Sequence, residues 1–407
     1  MATRTISNAG GNYNATGTWV EGVVPTSADD VVATGTSGQL TVNVASAALS
    51  ANFTNYTNTL TMNAVWTISG TTTTTFVSGM TIAGSSNIAL TGTGATIVSN
   101  GKLIPNLSNT GNKTLSGDLN VTNLTSSATT VWSGTAAINV SGNLVMSTTA
   151  NNSGSGITLN MIGTGTMTGL LGFSATNINT SGTITLTTSG GFAVGITAIT
   201  TGSQVALNYI SGTIAGSKIL RISSGVIANA LWALNVSGIT WDTISYSNPS
   251  SSVTTLTLTL NSNLNFVDFV FGNQNTGTPK ALIINGVGKL NGGRLVMNSG
   301  QVSDIVSPGW YGVPYTLRLG STASHTLTEL SSSSVSTSPN LISSQTASTT
   351  AYLGVTGTQS VSNTSFTDID STTGPISTFR STLTRTTAIT NYTSYGGGGG
   401  GSFTYLN

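Results

Sequence analysis

The sequence contains no cysteine and very little charge. Of its 407 residues only 5% are Asp, Glu, Lys or Arg, the formal net charge is +1, and there is a single histidine. An ordinary globular domain is about one quarter charged. The missing cysteines exclude a disulfide framework and leave no thiolate ligands for zinc. The Lys and Arg residues form no basic run, so we expect no nucleic-acid partner and no electrostatic binding to membranes.

Long apolar runs are missing as well. No stretch approaches the roughly 18 uninterrupted apolar residues of a transmembrane helix, so we expect no membrane insertion. Residues 1–14 lack a basic segment followed by an apolar one, from which we expect no secretory signal peptide. Yet 37% of the residues are hydrophobic, whereas disordered chains combine low hydrophobicity with high net charge. The chain is therefore expected to bury a core and to stay soluble through hydroxyl and amide groups.

Short alternating segments are abundant instead. Apolar residues two apart, with Thr, Ser or Asn between them, recur in QLTVNV (39–44), TLTMNA (59–64), AINVSGNLVM (137–146) and TLTLTL (255–260). Alternation bounded by Gly or Asn is typical of β-strands that end in turns. Helical periodicity is almost absent. The sequence therefore predicts an all-β fold.

The spacing of these segments indicates a repeating architecture. They recur about every 8 to 12 residues, without a break in composition before the C-terminus. A single sandwich or barrel would not hold so many strands, and several sandwiches would require linkers. A β-solenoid adds two or three strands per coil and stacks Ser, Thr and Asn in ladders. Coils of roughly 20 residues, about 4.8 Å apart, would give a rod about 80 Å long.

Two stretches resemble the right-handed parallel β-helix proteins of phages and bacterial surfaces. In residues 16–50 a Trp, a Gly-x-x-Pro and an Asp-Asp-Val follow one another, at Trp19, Gly22, Pro25, Asp29, Asp30 and Val31. Residues 315–391, with YTLRLGSTASHTLTEL and VSNTSFTDIDSTTGPISTF, are similar to the closing coils of the same group. The resemblance implies a right-handed parallel β-helix. That group includes tail fibres, head-decoration proteins, adhesins and lyases, so the fold alone does not fix a function.

The resemblance also implies a capping role for the first stretch. A solenoid must close its first coil, because an open sheet edge pairs with other edges. Trp19 would cover the end of the core and Pro25 would stop further pairing. Asp29 and Asp30 would accept hydrogen bonds from turn amides. The alternative interpretation is a catalytic or metal-binding cluster, which we favour less.

We therefore predict three parts. An N-terminal cap and entry to the first coil occupy 1–38, the solenoid body 39–391, and a Gly-rich tether with a terminal strand 392–407. Six consecutive glycines at 396–401 have the conformational freedom of a flexible linker. The coil spacing is least clear within 200–310, for which a separate β insert is the alternative.

The ten acidic residues leave few candidates for catalysis. Asp368 and Asp370 are two apart, which in a strand places both on one face about 7 Å apart, near the separation in inverting glycosidases. Such pairs more often stabilise turns. His325 and Glu329 would have to meet across a loop, and no second His or Cys supports a metal site. We expect no enzyme, no cofactor and no metal, with a polysaccharide depolymerase based on Asp368 and Asp370 as an alternative.

Aromatic clusters give candidates for ligand binding. The segment GWYGVPY has the composition of a loop and contains Trp310, Tyr311 and Tyr315. The segment ITWDTISY places Trp241 near Tyr246. Exposed rings stack on sugar faces or anchor protein interfaces. The alternative is that these rings fill the core.

These observations predict a non-enzymatic structural protein on the virion surface, either a phage tail fibre or a capsid decoration made in the host cytoplasm. It would contact a host-surface glycan or a partner, as a homo-oligomer for which a trimer is favoured, together with other virion proteins. The expected lack of a signal peptide favours this over an exported protein. The alternatives are a secreted bacterial adhesin, a self-assembling surface-filament subunit and a tailspike depolymerase.

Overall fold

A computed structural model describes most of the chain. The described residues are 1–126, 130–146, 152–168, 171–186, 192–196, 204–216, 218–224, 230–248, 255–274, 280–299, 314–334, 340–362, 364–370, 376–378, 383–384 and 392–394. They fall into two compact units. The first comprises Met1–Thr187 with Ser211–Ala215, and the second comprises Thr188–Ile210 with Gly216–Asn407.

The first unit is built from short strands and one 3₁₀ turn, Thr16–Thr18. Its strands are β1 (Thr3–Thr5), β2 (Gly11–Asn12), β3 (Asp30–Val32), β4 (Leu40–Val42), β5 (Ser46–Ala48), β6 (Ser50–Asn52), β7 (Thr59–Met62), β8 (Trp66–Ile68), β9 (Thr74–Thr75), β10 (Thr81–Gly84), β11 (Ile88–Leu90), β12 (Ala95–Val98), β13 (Leu103–Asn109), β14 (Lys113–Ser116), β15 (Leu119–Ser126), β16 (Val131–Ser133), β17 (Ala137–Val140), β18 (Leu144–Met146), β19 (Asn152–Met161), β20 (Gly165–Thr168) and β21 (Leu171–Leu186).

These strands stack in parallel, each beside a strand about one coil later in the sequence. Leu40 lies beside Leu60, and Leu60 lies beside Ile82. The step of about 20 residues matches the predicted coil length. In parallel strands that pair in register, residues at equivalent positions point to the same face of the sheet. Apolar residues therefore face the core in every coil.

One apolar column shows how the core of the first unit is filled. It is continuous through six coils, and every member is at most 2% exposed: Trp66, Ile88, Leu107, Leu124, Leu144 and Met167. Each side chain packs on its equivalents in the coils before and after it. The hydrophobic stabilisation therefore accumulates coil by coil, as in other repeat architectures.

The second unit has longer strands. They are β22 (Phe192–Ile196), β24 (Ile219–Ser224), β25 (Ala230–Asn235), β26 (Thr240–Asn248), β27 (Thr255–Leu260), β28 (Leu264–Gln274), β29 (Lys280–Gly286), β30 (Leu290–Ser299), β31 (Tyr315–Leu319), β32 (Ser324–Ser334), β33 (Asn340–Ser344), β34 (Ala351–Val355), β35 (Gln359–Ser362), β36 (Thr364–Thr367), β37 (Ile369–Asp370), β38 (Ile376–Thr378), β39 (Leu383–Thr384) and β40 (Tyr392–Ser394). Strand β23 (Gln204–Gly216) contributes residues to both units.

The coils of the second unit are longer than those of the first. Ile244 lies beside Phe269 and Phe269 beside Leu295, steps of about 25 residues, whereas Leu295 lies beside Leu330. The longer step, about 35 residues, includes 300–313, which lie outside the described residues. The strands described within 200–310 pair in parallel like the rest, and their longer period explains why the coil spacing was least clear there.

Each unit is thus a parallel β-solenoid, and the predicted all-β solenoid fold is confirmed. Within the described ranges the only helical segment is the 3₁₀ turn, and no helix is long and apolar enough to cross a membrane. The predicted tether at 392–407 lies outside the described residues except for β40, which pairs with β38.

Candidate functional site

The N-terminal cap covers the outer edge of β1 with a reversed segment. The Ser7 N–H donates to the Thr18 carbonyl oxygen at 2.8 Å, and the Val20 N–H donates to the Thr5 carbonyl oxygen at 2.8 Å. The Thr5 N–H donates to Oε2 of Glu21 at 2.8 Å. Backbone groups that would otherwise form an open parallel edge are therefore paired within the chain. A paired edge does not recruit strands from other molecules.

Trp19 lies at the end of the aromatic part of the core. Its side chain is 2% exposed, and Nε1 donates to the carbonyl oxygen of Tyr13 at 2.9 Å. The Tyr13 ring contacts Trp19 edge-on with centroids 5.1 Å apart, and it contacts Trp66 in the same way at 6.0 Å. Burial raises the pKa of the Tyr13 hydroxyl well above its usual value. Pro25, also buried, follows this cap segment.

The two cap carboxylates hold backbone and hydroxyl groups of the first coils. Asp29 accepts hydrogen bonds from the Ala2 N–H at 3.1 Å and from the Thr26 N–H and hydroxyl at 3.0 Å each. The hydrogen bond from the Thr26 backbone is the main cause that lowers the pKa of Asp29. Asp30 accepts the hydroxyl proton of Ser50, one coil later, at 2.6 Å. Both groups act as acceptors that stabilise turns and coil contacts.

Asp368 and Asp370 do not lie in one continuous strand. Strand β36 ends at Thr367, and Asp368 adopts a left-handed backbone with φ 54° before β37 begins. The strand geometry that predicted a 7 Å separation therefore does not apply. Asp368 is buried, and its Oδ2 accepts the Ser348 N–H at 3.0 Å. Its contacts are those of a turn residue, and a catalytic role for the pair stays a prediction.

His325 and Glu329 lie in one strand, β32, and do not meet across a loop. Four residues of strand separate them by about 13 Å along the chain. His325 is 1% exposed, and its Nδ1 accepts the Leu290 N–H at 3.1 Å. Burial lowers the pKa of His325 to about 4, so the imidazole is neutral at physiological pH. This histidine belongs to the core.

Of the predicted binding aromatics, two lie in the core and two lie outside the described residues. Trp241 is 1% exposed and lies beside Phe266 in the sheet. Tyr315 is 2% exposed, with its ring centroid 5.4 Å from that of Phe271. Both rings fill the core of the second unit and present no face to solvent. Trp310 and Tyr311 are among residues 301–313, which are not described.

Carboxylates in the solenoid bodies also bind the neighbouring coil. The contacts are Asp118 Oδ1 with the Ala137 N–H at 2.8 Å, Asp242 Oδ2 with the Lys218 N–H at 3.0 Å, and Asp268 Oδ1 with Nε of Arg294 at 2.9 Å. Each one joins residues about one coil apart. Within the described ranges, three or more metal-ligating side chains never come together.

Sequence reasoning predicted ladders of Ser, Thr and Asn in general, but it did not identify a row of asparagines on the outer sheet surface. Asn120, Asn139, Asn160 and Asn177 lie in register on β15, β17, β19 and β21. From Asn139 onward, each Nδ2 donates to Oδ1 of the asparagine in the preceding coil, at 2.8, 2.7 and 2.8 Å in order. We call this row the face ladder. Its signal was present in the sequence as LNV, INV, LNM and TNI, centred on the four asparagines.

A second row, the corner ladder, lies at a turn of the same unit. Asn123 Nδ2 donates to Oδ1 of Asn106 at 2.8 Å, and Asn123 Oδ1 also accepts the Asn143 N–H at 2.9 Å. Oδ1 of Asn143 in turn accepts the Thr166 N–H at 2.9 Å. These amides satisfy turn backbone groups, so their role is local structure. The face ladder differs because Asn139 and Asn160 each bond to an asparagine on both sides, on an open sheet surface.

Comparison with protein-family models, curated proteins and solved structures found no match to this chain. Its function is accordingly inferred from its own residues. Each unit is a coil-by-coil stack, the first closed by the N-terminal cap, and the acidic groups described above make structural contacts.

Proposed function

We propose that the chain is a non-enzymatic structural component of a virion, a tail fibre or a capsid-surface decoration. The observation that carries this proposal is the coupling of successive coils through side chains as well as backbone. Acidic groups such as Asp118 and Asp268, which would serve chemistry in an enzyme, bind the neighbouring coil instead. The assignment to phages rests on the resemblance of residues 16–50 and 315–391.

Mechanical stiffness follows from this coupling. In a repeat architecture each coil contacts its neighbours, so local opening requires loss of backbone bonds, apolar contacts and ladder bonds together. The apolar column from Trp66 to Met167 and the face ladder overlap in the coils from Asn120 onward. A stack held in this way suits a part that bears load outside a cell.

Adhesion is the second element of the proposal. A homotrimer would display the same surface three times, and binding through several weak sites raises avidity. Because Trp241 and Tyr315 are buried, ring stacking on a host glycan is proposed for Trp310 and Tyr311 alone. Replacing both with Ala should weaken adhesion to host cells, and the melting temperature measured alongside separates loss of binding from loss of folding.

Immunogold electron microscopy tests the proposal. Antibodies raised against the chain would be applied to particles and cells from a lysed culture that expresses it. Gold at regular positions on virions would support a fibre or decoration. Gold on cell surfaces without particles would establish the adhesin alternative, and gold along free filaments would establish the self-assembling subunit. Either of the latter results would overturn the proposal.

The depolymerase alternative needs its own assay. The purified chain would be incubated with surface polysaccharides of candidate hosts, and chain shortening would be followed by size-exclusion chromatography. We expect no shortening. Cleavage that is lost in Asp368→Asn and Asp370→Asn variants would identify an enzyme and contradict the non-enzymatic assignment.

A further inference from the structure

The face ladder leaves unused hydrogen-bonding capacity on an open surface. A carboxamide has two N–H donors and two lone pairs on oxygen. In Asn139 one N–H donates to Oδ1 of Asn120, and one lone pair of Oδ1 accepts a hydrogen bond from Nδ2 of Asn160. These are the two hydrogen bonds described for this amide. Asn139 therefore presents one donor and one acceptor, and Asn160 is held in the same way between Asn139 and Asn177. They repeat at the strand spacing of about 4.8 Å.

The surroundings of the ladder are small and nearly uncharged. Residues two positions away on the same outer surface include Ala137, Thr158, Ser141 and Ile162, all wholly or partly accessible. Asp118 is the charged residue at the edge of this surface, and its Oδ1 already accepts the Ala137 N–H. The residues described around the ladder thus include no cationic side chain to attract phosphates, sulfates or carboxylates.

The size of this surface favours a narrow ligand over a second copy of the chain. Four strands at about 4.8 Å and five residues at about 3.3 Å cover about 300 Å². A stable protein interface needs about 800 Å² on each partner. A linear ligand lying along the stack meets one amide per coil and needs far less area.

Hydroxyl groups match the ladder chemically. A hydroxyl both donates and accepts, as each rung does. Ile162, which is 47% exposed, and the methyl groups of Ala137 and Thr158 give apolar contact for the C–H face of a sugar ring. We propose that the face ladder, through Asn120, Asn139 and Asn160, is a binding site for an uncharged, linear polysaccharide aligned with the stack. This inference rests on the proposed adhesive function and supplies its ligand class.

The test measures binding of the full chain to immobilised dextran, yeast mannan and a linear β-glucan, with heparin and polygalacturonate as charged comparisons. The test variant is Asn139→Leu/Asn160→Leu, which removes the central rungs. The matched control is Asn265→Leu/Asn291→Leu, which removes a ladder bond of 2.7 Å in the second unit. A second variant, Ala137→Arg, obstructs the surface and leaves every ladder bond intact, so it remains informative if the double variant unfolds.

The proposal expects binding to at least one neutral polysaccharide, a loss of about tenfold or more in the Asn139/Asn160 and Ala137 variants, and unchanged affinity in the control. Binding to charged polymers alone, no binding to neutral ones, or neutral binding that both face variants retain would overturn it. Those results leave the virion assignment standing, because immunogold labelling tests that separately. Gold on cells alone would instead remove the virion assignment while leaving the ladder site intact.

Discussion

The ammonium group of Lys113 lies in the core of the first unit and donates a hydrogen bond to the carbonyl oxygen of Gly92, one coil earlier. The residue is 2% exposed, and Nζ also lies 3.3 Å from the Gly111 carbonyl oxygen. The groups that contact the ammonium are neutral backbone carbonyls, and these contacts include no carboxylate. Burial lowers the pKa of Lys113 to about 8.

This pKa predicts that alkaline pH stabilises the first unit. The unfolded lysine has a pKa of about 10.4, so the unfolded chain binds more protons between the two values. The cost of burying the charge is therefore fully present below pH 8 and disappears as the pH rises toward 10.4. We expect the free energy of unfolding to rise by about 2 kcal/mol from pH 7 to pH 9.5. Denaturant unfolding at a series of pH values measures this.

Lys113→Met is the matched control, because it keeps an unbranched side chain and removes the titrating group. Its unfolding free energy should be nearly flat over the same pH range. The measurements should stop below pH 10. Burial raises the pKa of Tyr56 to about 12. Above pH 10 the tyrosines of the unfolded chain lose protons that the folded chain keeps, and this destabilises the fold. Equal slopes in the two proteins would contradict the assignment of the effect to Lys113.

His325 gives a dependence of the same sign in the second unit, but over a more acidic range. Its pKa falls from 6.5 to about 4 on folding, chiefly through burial and further through the charge of Lys289. The unfolded chain therefore gains a proton first as the pH drops, and stability is lost below about pH 6.5. We expect a loss of about 1.5 kcal/mol between pH 6.5 and pH 5, above the range in which Asp29 titrates.

The comparison for His325 is His325→Asn, whose Oδ1 replaces Nδ1 as the acceptor for the Leu290 N–H but does not titrate. Urea unfolding of both proteins at four pH values gives the two slopes. The variant should lose less stability on acidification. An identical acid dependence would place the responsible group elsewhere in the chain.

Sequence reasoning predicted the fold because the fold depends on local alternation. In segments such as TLTLTL (255–260) each Leu faces inward and each Thr outward, so the period of two is readable without knowing the partners. The partners themselves depend on coil length, which changes from about 20 residues in the first unit to about 25 in the second. A single repeat length of about 20 residues therefore does not fit the sequence within 200–310.

The candidate site was harder to predict because composition does not reveal burial. Trp241 was chosen for its aromatic ring, yet it is buried in the core beside Phe266 of the next coil. The spacing rule applied to Asp368 and Asp370 assumed one strand, and the left-handed φ at Asp368 breaks it. Conversely, Asn139 looked ordinary because asparagine is abundant. Its significance appears only when the register places it between Asn120 and Asn160.

Trp19→Ala should destabilise the cap and open the first sheet edge. Truncating a buried Trp costs about 3–5 kcal/mol, and the ring of Trp19 contacts Tyr13 while its Nε1 holds the Tyr13 carbonyl oxygen. We expect faster hydrogen exchange of the amides of β1 and concentration-dependent association in light scattering.

The control for Trp19 is the adjacent Val20→Ala. Val20 is 66% exposed, and its backbone hydrogen bond to Thr5 does not depend on the side chain. This variant should exchange and sediment like the unaltered chain. If Trp19→Ala keeps the oligomeric state of the unaltered chain and is equally protected, the edge is closed by the backbone bonds of the reversed segment alone.

Asp368 adopts a left-handed backbone and also accepts a hydrogen bond through its side chain, and substitution by Asn or Ala tests these two roles. Its φ of 54° suits Asn almost as well as Asp, whereas Ala is strained there. Its Oδ2 holds the Ser348 N–H, a contact that Asn can keep and Ala cannot. Asp368→Asn should therefore cost about 1 kcal/mol or less, and Asp368→Ala about 2–3 kcal/mol. Thermal and denaturant unfolding measure both. Equal losses would show that the negative charge, rather than the turn, is what the fold requires at this position.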